Sequence, residues 1–131
     1  MTVVGGGELL ASGLARTVRL PTRTDGRGVL AFVEAGRHVP FAVDEVRWGG
    51  AHAERSAQRS DRSELIVALR GRVHVRVSAD GAAEDALCST GPDVGVLVPA
   101  GVARALEPAS ADTVVLICAG PRPLPHDGHG G

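Results

Sequence analysis

Short apolar runs rich in valine follow one another along most of the chain, and almost every one is bounded by glycine, proline or aspartate. Runs of this length between turn-forming residues are typical of strands in β-sandwiches and β-barrels. Within Arg72–Val77, three valines alternate with arginine and histidine, and this period of two predicts one buried and one solvated face. The pattern predicts an all-β single domain of about six to eight strands. The clearest pair is Glu64–Leu69 with Arg72–Val77, and further strands are predicted at Val29–Glu34, Phe41–Trp48, Val94–Pro99 and Thr113–Ala119.

The segments between these runs have the composition of turns and loops. Asp80-Gly81 is a dipeptide typical of hairpin turns, and the polar stretch Ala51–Ser63 is predicted to be a loop. The proline- and glycine-rich stretch that begins at Pro121 predicts a disordered tail. We therefore expect an N-terminal arm (1–17), a β-barrel (18–120) and a tail (121–131).

Composition narrows the possible functions. The chain has 131 residues, 44% of them apolar, and a formal net charge of −1. These values describe one globular domain with no electrostatic reason to bind nucleic acid or an acidic membrane surface. All 14 basic side chains are arginines, and the chain has no lysine, tyrosine or asparagine. Lysine Schiff-base chemistry, P-loop phosphate binding and tyrosine acid–base chemistry are thereby excluded.

The N-terminal segment and the two cysteines predict where the protein is located and whether its thiols react. Residues 1–14 lack a basic stretch followed by a long apolar run, so we expect no signal peptide, no membrane span and a cytoplasmic protein. Cys88 and Cys118 match no C-x-x-C pattern and are expected to be inert free thiols. His74 shares the polar face of its strand with two arginines, so we expect it to face solvent or an interface.

One group of acid, base and cationic residues could carry chemistry. His52 and Glu54 are two positions apart, Glu64 begins an apolar strand, and Arg104 follows Pro99-Ala100-Gly101. This order resembles the two motifs of the cupin superfamily, which implies a jelly-roll-like β-barrel in which these side chains converge. Arg104 stands where the superfamily has a histidine, and a guanidinium in a ligand position opposes metal binding. A three-ligand face of His52, Glu54 and Glu64 is the alternative, but we expect no metal and no cofactor.

A more specific resemblance extends over Val18–Ala119. The segments that carry it are Asp25–Leu30, Glu34, Val39–Phe41, His52–Arg55, Leu65–Gly71 and Val98–Arg104. In order and spacing they resemble the WxcM-like sugar 3,4-ketoisomerases, which are metal-independent cupins that act on dTDP-4-keto-6-deoxyglucose. The resemblance implies a cupin barrel and a small-molecule substrate of the dTDP-sugar class. It also implies a homodimer, in which a second subunit covers sheet edges.

The resemblance also implies where the site lies and how it differs from the family's. His52 matches the first histidine of the family's catalytic pair, and Glu54 replaces the second. Arg47 and Trp48 stand where the family's active-site strand bears tyrosines. The polar stretch after Glu54 is longer than in the family, which implies an insertion just after the catalytic segment. We therefore expect the mouth of the pocket to be reshaped.

Ketone migration between neighbouring carbons passes through an enediol and needs acid–base groups on one face of the substrate. The expected catalytic residues are His52 and Glu54. The expected substrate-binding residues are Arg47, Trp48, Glu64 and Arg104. For His52 and Glu54 the structural alternative is a hydrogen-bonded pair at a solvated rim. For Arg104 it is hydrogen bonding to buried carbonyl groups or an ion pair with Glu64, and for Trp48 it is a place in the core.

Three functions remain open on the sequence. The first is a metal-independent isomerase related to the nucleotide-sugar 3,4-ketoisomerases. The second is a recruited barrel that catalyses cyclisation, dehydration or epimerisation of a non-nucleotide natural-product intermediate, which the lost tyrosines favour. The third is a non-catalytic small-molecule binding module, which the lost second histidine favours.

Overall fold

The chain folds into β-strands joined by turns and loops. The computed structural model describes residues 8–9, 14–50, 57–78 and 85–122, which contain twelve strands and no helix. None of the described residues forms a helix that could span a membrane. The strands are β1 (Glu8–Leu9), β2 (Arg16–Arg19), β3 (Thr22–Asp25), β4 (Gly28–Ala31), β5 (Glu45–Gly50), β6 (Gln58–Arg59), β7 (Glu64–Arg70), β8 (Val73–Ser78), β9 (Asp85–Ser89), β10 (Val94–Val98), β11 (Ala103–Pro108) and β12 (Val114–Ala119).

Two sheets of antiparallel strands make the body of the fold. One has six strands in the order β1-β2-β10-β7-β12-β5, and the other has four in the order β6-β11-β8-β9. A separate hairpin consists of β3 and β4. Neighbours in sheet order that are distant in sequence, such as β2 and β10, are typical of a jelly roll. The predicted all-β, cupin-like barrel fold is confirmed.

The main core lies between the two sheets. Alternation along β8 buries Val73, Val75 and Val77 and leaves His74 exposed, as the period of two predicts. Ile66 of β7 packs into the same cluster from the opposite sheet. The inner face of each sheet is therefore defined by the residues that share this cluster.

A second apolar cluster covers the outer face of the six-stranded sheet. Leu65 and Val67, which alternate with inner-facing residues of β7, pack there with Cys118. Val39 and Phe41, from the segment between β4 and β5, lie over them. Phe41 therefore packs against the sheet from a loop and does not belong to a strand.

Four of the six predicted strands, those now named β7, β8, β10 and β12, are confirmed with shifts of one residue at their ends. β4 ends at Ala31 and β5 begins only at Glu45, so the predicted Val29–Glu34 and Phe41–Trp48 are partly loop. The predicted number of six to eight is too low, because twelve strands occur in the described ranges. The predicted turn Asp80-Gly81 and all of the predicted tail beyond Arg122 lie outside those ranges.

Candidate active site at one end of the barrel

A buried carboxylate and a buried guanidinium join the two sheets. Glu64 is the first residue of β7 and shares its inner face with Ile66, while Arg104 of β11 shares its inner face with Leu106. Each of the two charged residues is only 2% exposed. Arg104 Nε donates to Glu64 Oε1 over 3.0 Å, and Arg104 Nη2 donates to Oε2 over 3.3 Å. This two-pronged geometry is the strongest form of arginine–carboxylate contact.

A second guanidinium reaches the same carboxylate from the edge of the six-stranded sheet. Arg47 of β5 lies opposite inner-facing Ile117 of β12, so its side chain points into the barrel. Arg47 Nη2 donates to Glu64 Oε2 over 3.1 Å. Unlike Arg104, the Arg47 side chain is 38% exposed. Glu64 therefore holds one guanidinium that is fully enclosed and another that remains in contact with solvent.

Glu64 is suited to positioning cations. Both of its oxygens accept hydrogen bonds from guanidinium groups. Burying a charged pair is costly, and good geometry with further hydrogen bonds is what offsets that cost. The arrangement therefore fixes Arg104 and directs Arg47 towards the space beside it.

That space is a cavity of about 330 Å³. Its described wall contains no apolar residue and carries five arginines against three acidic residues. The lining residues are Glu45, Arg47, Gln58, Arg59, Ser60, Asp61, Arg62, Glu64, Arg104 and Arg122. The volume lies at the lower end of the range for small-molecule sites, which suits a sugar ring.

Half of this wall comes from the polar stretch before Glu64. Its short strand β6 pairs with β11, where Gln58 lies opposite Arg104. Arg62 is held in place by Glu45, to which its Nη1 donates over 2.6 Å. This stretch is the region in which the resemblance implied an insertion. The sequence analysis did not single out Arg59, Arg62 or Arg122, although three arginines between positions 55 and 62 were a visible signal.

Trp48 does not belong to this group of residues. It follows Arg47 on β5, so its side chain points to the opposite face of the sheet. It lies opposite Leu116, which packs in the outer cluster, and it is 70% exposed. The structure thus brings together three of the four expected substrate-binding residues, Arg47, Glu64 and Arg104, and leaves Trp48 outside.

The expected catalytic residues His52 and Glu54 lie within 51–56, outside the described residues. In the part of the chain that the structure describes, no three His, Cys, Asp or Glu side chains are grouped to hold a metal ion. The fit of a cupin metal can be judged from Glu64 itself. Because guanidinium groups already occupy both of its oxygens, Glu64 does not suit the three-ligand alternative.

Comparison with models of known protein families identifies the family of this chain. The family model described as FdtA: WxcM-like, C-terminal matches residues 14–122. The chain belongs to this WxcM-like family. No curated protein sequence is significantly similar to it. Membership in the WxcM-like family agrees with the resemblance seen in the sequence and with the cupin-like barrel.

Solved structures similar to this WxcM-like chain share its fold at low sequence identity. A sugar 3,4-ketoisomerase from Thermoanaerobacterium thermosaccharolyticum, in complex with TDP, has a TM-score of 0.71 and 18% identity, over 84% of this chain and 82% of that chain. The TDP-quinovose 3,4-ketoisomerase WlaRB from Campylobacter jejuni has a TM-score of 0.70 and 17% identity, over 88% and 89%. The 3'-monoepimerase ChmJ from Streptomyces bikiniensis, in complex with dTDP-quinovose, has a TM-score of 0.67 and 17% identity, over 85% and 66%.

The two cysteines lie away from the cavity wall. Cys118 is buried in the outer cluster, and its burial raises the pKa of its thiol. Cys88 of β9 is partly buried. Desolvation raises the pKa of its thiol, and the positive charge of Arg72 offsets part of that effect. Both cysteines are free, and both thiols are biased towards the protonated form, which is the unreactive one.

Proposed function

We propose that the protein is a metal-independent isomerase that moves a proton beside the carbonyl group of a nucleotide-linked keto sugar. Family membership and the ketoisomerases among its structural neighbours support an isomerase-type enzyme. The observation that carries the proposal is the cluster of Arg47, Glu64 and Arg104 beside a cavity of sugar size. Such a cluster would supply fixed positive charge to stabilise an enediolate.

The reaction proceeds in two halves, the formation of an enediol and its conversion to the product. Each half requires one deprotonation and one protonation. A base takes the proton from C-3 while an acid protonates the C-4 carbonyl oxygen, which gives an enediol. The proton on O-3 is then removed and C-4 is protonated, so that the carbonyl is now at C-3. No electrons leave the substrate, and no oxidant or reductant is needed. The groups required are one base, one acid and a cationic partner for the oxygen atoms.

We assign the proton transfers to His52 and Glu54. Arg47 and Gln58, which precede and follow these two residues in the chain, both line the cavity, and this supports the assignment. Imidazole titrates near neutral pH and can both take and return a proton. Arg47, which contacts solvent, would donate to the developing oxyanion, and Glu64 would keep that guanidinium oriented.

Proton NMR in D2O tests the proposal. Purified protein is added to TDP-4-keto-6-deoxyglucose, a compound bound by one of the structural neighbours. We expect the C-3 proton signal to disappear and a 3-keto product to form. Retention of the C-3 proton in the presence of folded protein would overturn the proposal for this substrate.

Epimerisation is the second candidate, and the observation that favours it is the likeness to a 3'-monoepimerase. An epimerase removes the same C-3 proton but returns it to C-3 from the other face, so the carbonyl stays at C-4. The NMR experiment separates the two reactions. Exchange with a 3-keto product indicates isomerisation, and exchange with inverted C-3 indicates epimerisation.

We also propose that the protein is a homodimer. Strand β5 is the last strand of the six-stranded sheet in the described residues, so one side of its backbone has no neighbouring strand. Its outward side chains Val46 and Trp48 are 45% and 70% exposed. A second copy that covers this edge would shield both the apolar side chains and the backbone groups.

A further inference from the structure

The cavity wall has an enclosed end and an open end. Arg104 and Glu64 are each only 2% exposed, and the Arg47 side chain beside them is 38% exposed. Asp61 and Arg122, which line the same cavity, are exposed residues. The proposed function places the reacting sugar beside Arg47, in a cavity that suits one sugar ring. The diphosphate, which is bonded to C-1 of that sugar, then lies towards the open end.

Arg122 differs from the other arginines of the wall in its lack of a protein partner. Three of the others donate to Glu64 or to Glu45. In the described ranges of the chain, the guanidinium of Arg122 has no ion pair and no hydrogen bond, and Asp61 is not within ion-pair distance of it. All five donors of this planar group therefore remain for a ligand. Their fork matches the oxygen atoms of a phosphate group.

The end of β12 holds the backbone that carries Arg122. Gly120, the residue after β12, donates its backbone N–H to the carbonyl oxygen of Ser63 over 2.9 Å, and Ser63 directly precedes β7. Gly120 also lies against Phe41 of the outer cluster, so closely that a Cβ on residue 120 would be 3.0 Å from the ring. Pro121 follows, and its ring fixes φ of the one residue between this anchor and Arg122. The guanidinium is therefore attached two residues from a fixed point beside the cavity.

We infer that Arg122 binds the β-phosphate of the nucleotide-linked sugar at the open end of the cavity, and that through this contact the protein distinguishes nucleoside diphosphates from monophosphates. The inference rests on the proposed function and names a residue that determines its specificity. The β-phosphate is the one bonded to the sugar, so it lies nearer to the cavity wall than the α-phosphate does. Two of its oxygen atoms can accept parallel N–H···O bonds from the guanidinium.

Calorimetric titration of the full chain with thymidine diphosphate (TDP) and thymidine monophosphate (TMP) tests the inference, because TMP lacks the β-phosphate. We expect the unmodified protein to bind TDP at least about tenfold more tightly than TMP, as a charge-assisted contact provides. In Arg122→Gln the dissociation constant of TDP should rise about tenfold, and that of TMP less than about twofold. Arg122→Lys keeps the charge but loses the planar fork, so the dissociation constant of TDP should rise about threefold.

Arg70→Gln is the matched control. Arg70 is exposed and ends β7, about 20 Å from Glu64 at the rise of a β-strand, so its loss changes the net charge equally but far from the cavity. We expect both dissociation constants to change less than about twofold in this variant, because salt screens charges at such a distance. Absence of TDP binding or equal affinities for TDP and TMP in the unmodified protein would overturn the inference. Undiminished TDP affinity in folded Arg122→Gln, or an equal loss in Arg70→Gln, would also overturn it.

The NMR experiment on the keto sugar separates a failure of this contact from a failure of the proposed function. If the C-3 proton exchanges while Arg122→Gln binds TDP as tightly as the unmodified protein, the isomerase function stands and the role of Arg122 fails. If TDP binding depends on Arg122 but the C-3 proton is retained, the phosphate contact stands and the proposed reaction fails.

Discussion

Arg104 and Glu64 are 40 residues apart in the chain and meet between the two facing sheets through a pair of hydrogen bonds. Glu64 and Arg104 are the first inner-facing residues of β7 and β11, so the pair lies at one end of the barrel, beside the cavity. This ion pair therefore connects the two sheets and also forms part of the candidate site.

Removing one partner of this pair should destabilise the fold strongly. In Glu64→Gln we expect a loss of about 3 kcal/mol in the free energy of unfolding, because Arg104 is left buried with a weaker partner. The double variant with Arg104→Gln should lose less than the sum of the two single losses, by about 1 kcal/mol or more. Urea unfolding measures both. In the exposed pair of Arg37 and Glu34, Glu34→Gln should cost less than about 0.5 kcal/mol.

His52 and Glu54 should be needed for turnover and not for folding. We expect His52→Ala and Glu54→Gln to slow exchange at C-3 of the keto sugar at least about 100-fold, since general acid–base groups contribute on that order. The NMR assay in D2O provides the rates, and circular dichroism checks the fold. The matched control is His74→Ala, because His74 is exposed on the outer face of the four-stranded sheet. If both site variants keep the unmodified rate, the two residues have no part in the mechanism.

The outer side of β5 should mediate self-association. Trp48→Glu places a charge at the centre of the proposed contact, so we expect the dimer to dissociate into folded monomers. Light scattering coupled to size-exclusion chromatography gives the mass. The control is Leu30→Glu, which changes a leucine that is 61% exposed on the β3–β4 hairpin. A monomeric unmodified protein would refute the proposed dimer, and a Trp48→Glu dimer would place the interface elsewhere.

Stability should decrease in alkaline solution because of Cys118. Burial raises the pKa of this thiol above its ordinary value of 9.0, so the folded state favours the protonated form. The stabilisation is therefore complete below about pH 9 and is lost as the pH rises through the raised pKa. Urea unfolding from pH 7 to 10.5 should show a fall that Cys118→Ala reduces. Cys88→Ala should reduce it less, since Arg72 offsets part of the effect at Cys88. Equal slopes in all three proteins would contradict this assignment.

The sequence is most informative where one side chain in two is buried. Along β8 the valines and the polar residues alternate without a break, so both the strand and its buried face could be predicted. Strands β3 and β6 could not, because every residue in them is exposed. No hydrophobic signal distinguishes such strands from loops.

The site was predictable in part for a similar reason. Glu64 and Arg104 stand out in the sequence because each is a charged residue within an apolar strand. Arg47 and Trp48 are adjacent on one strand, and the same period of two that identified β8 means that they cannot both face one cavity. The contribution of Arg122 depends on how the end of β12 returns to the barrel, which is a tertiary relationship that no local pattern contains.

The short strand β6 is attached to the barrel by two residue pairs with β11, and its side chains are exposed. Its residues contribute to the cavity wall but not to either apolar cluster. Substitutions and changes of length in 57–62 can therefore alter what the cavity accepts while the core stays as it is. We therefore expect this segment to tolerate substitution better than the strands beside it, which makes it a suitable place to graft a new specificity onto the barrel.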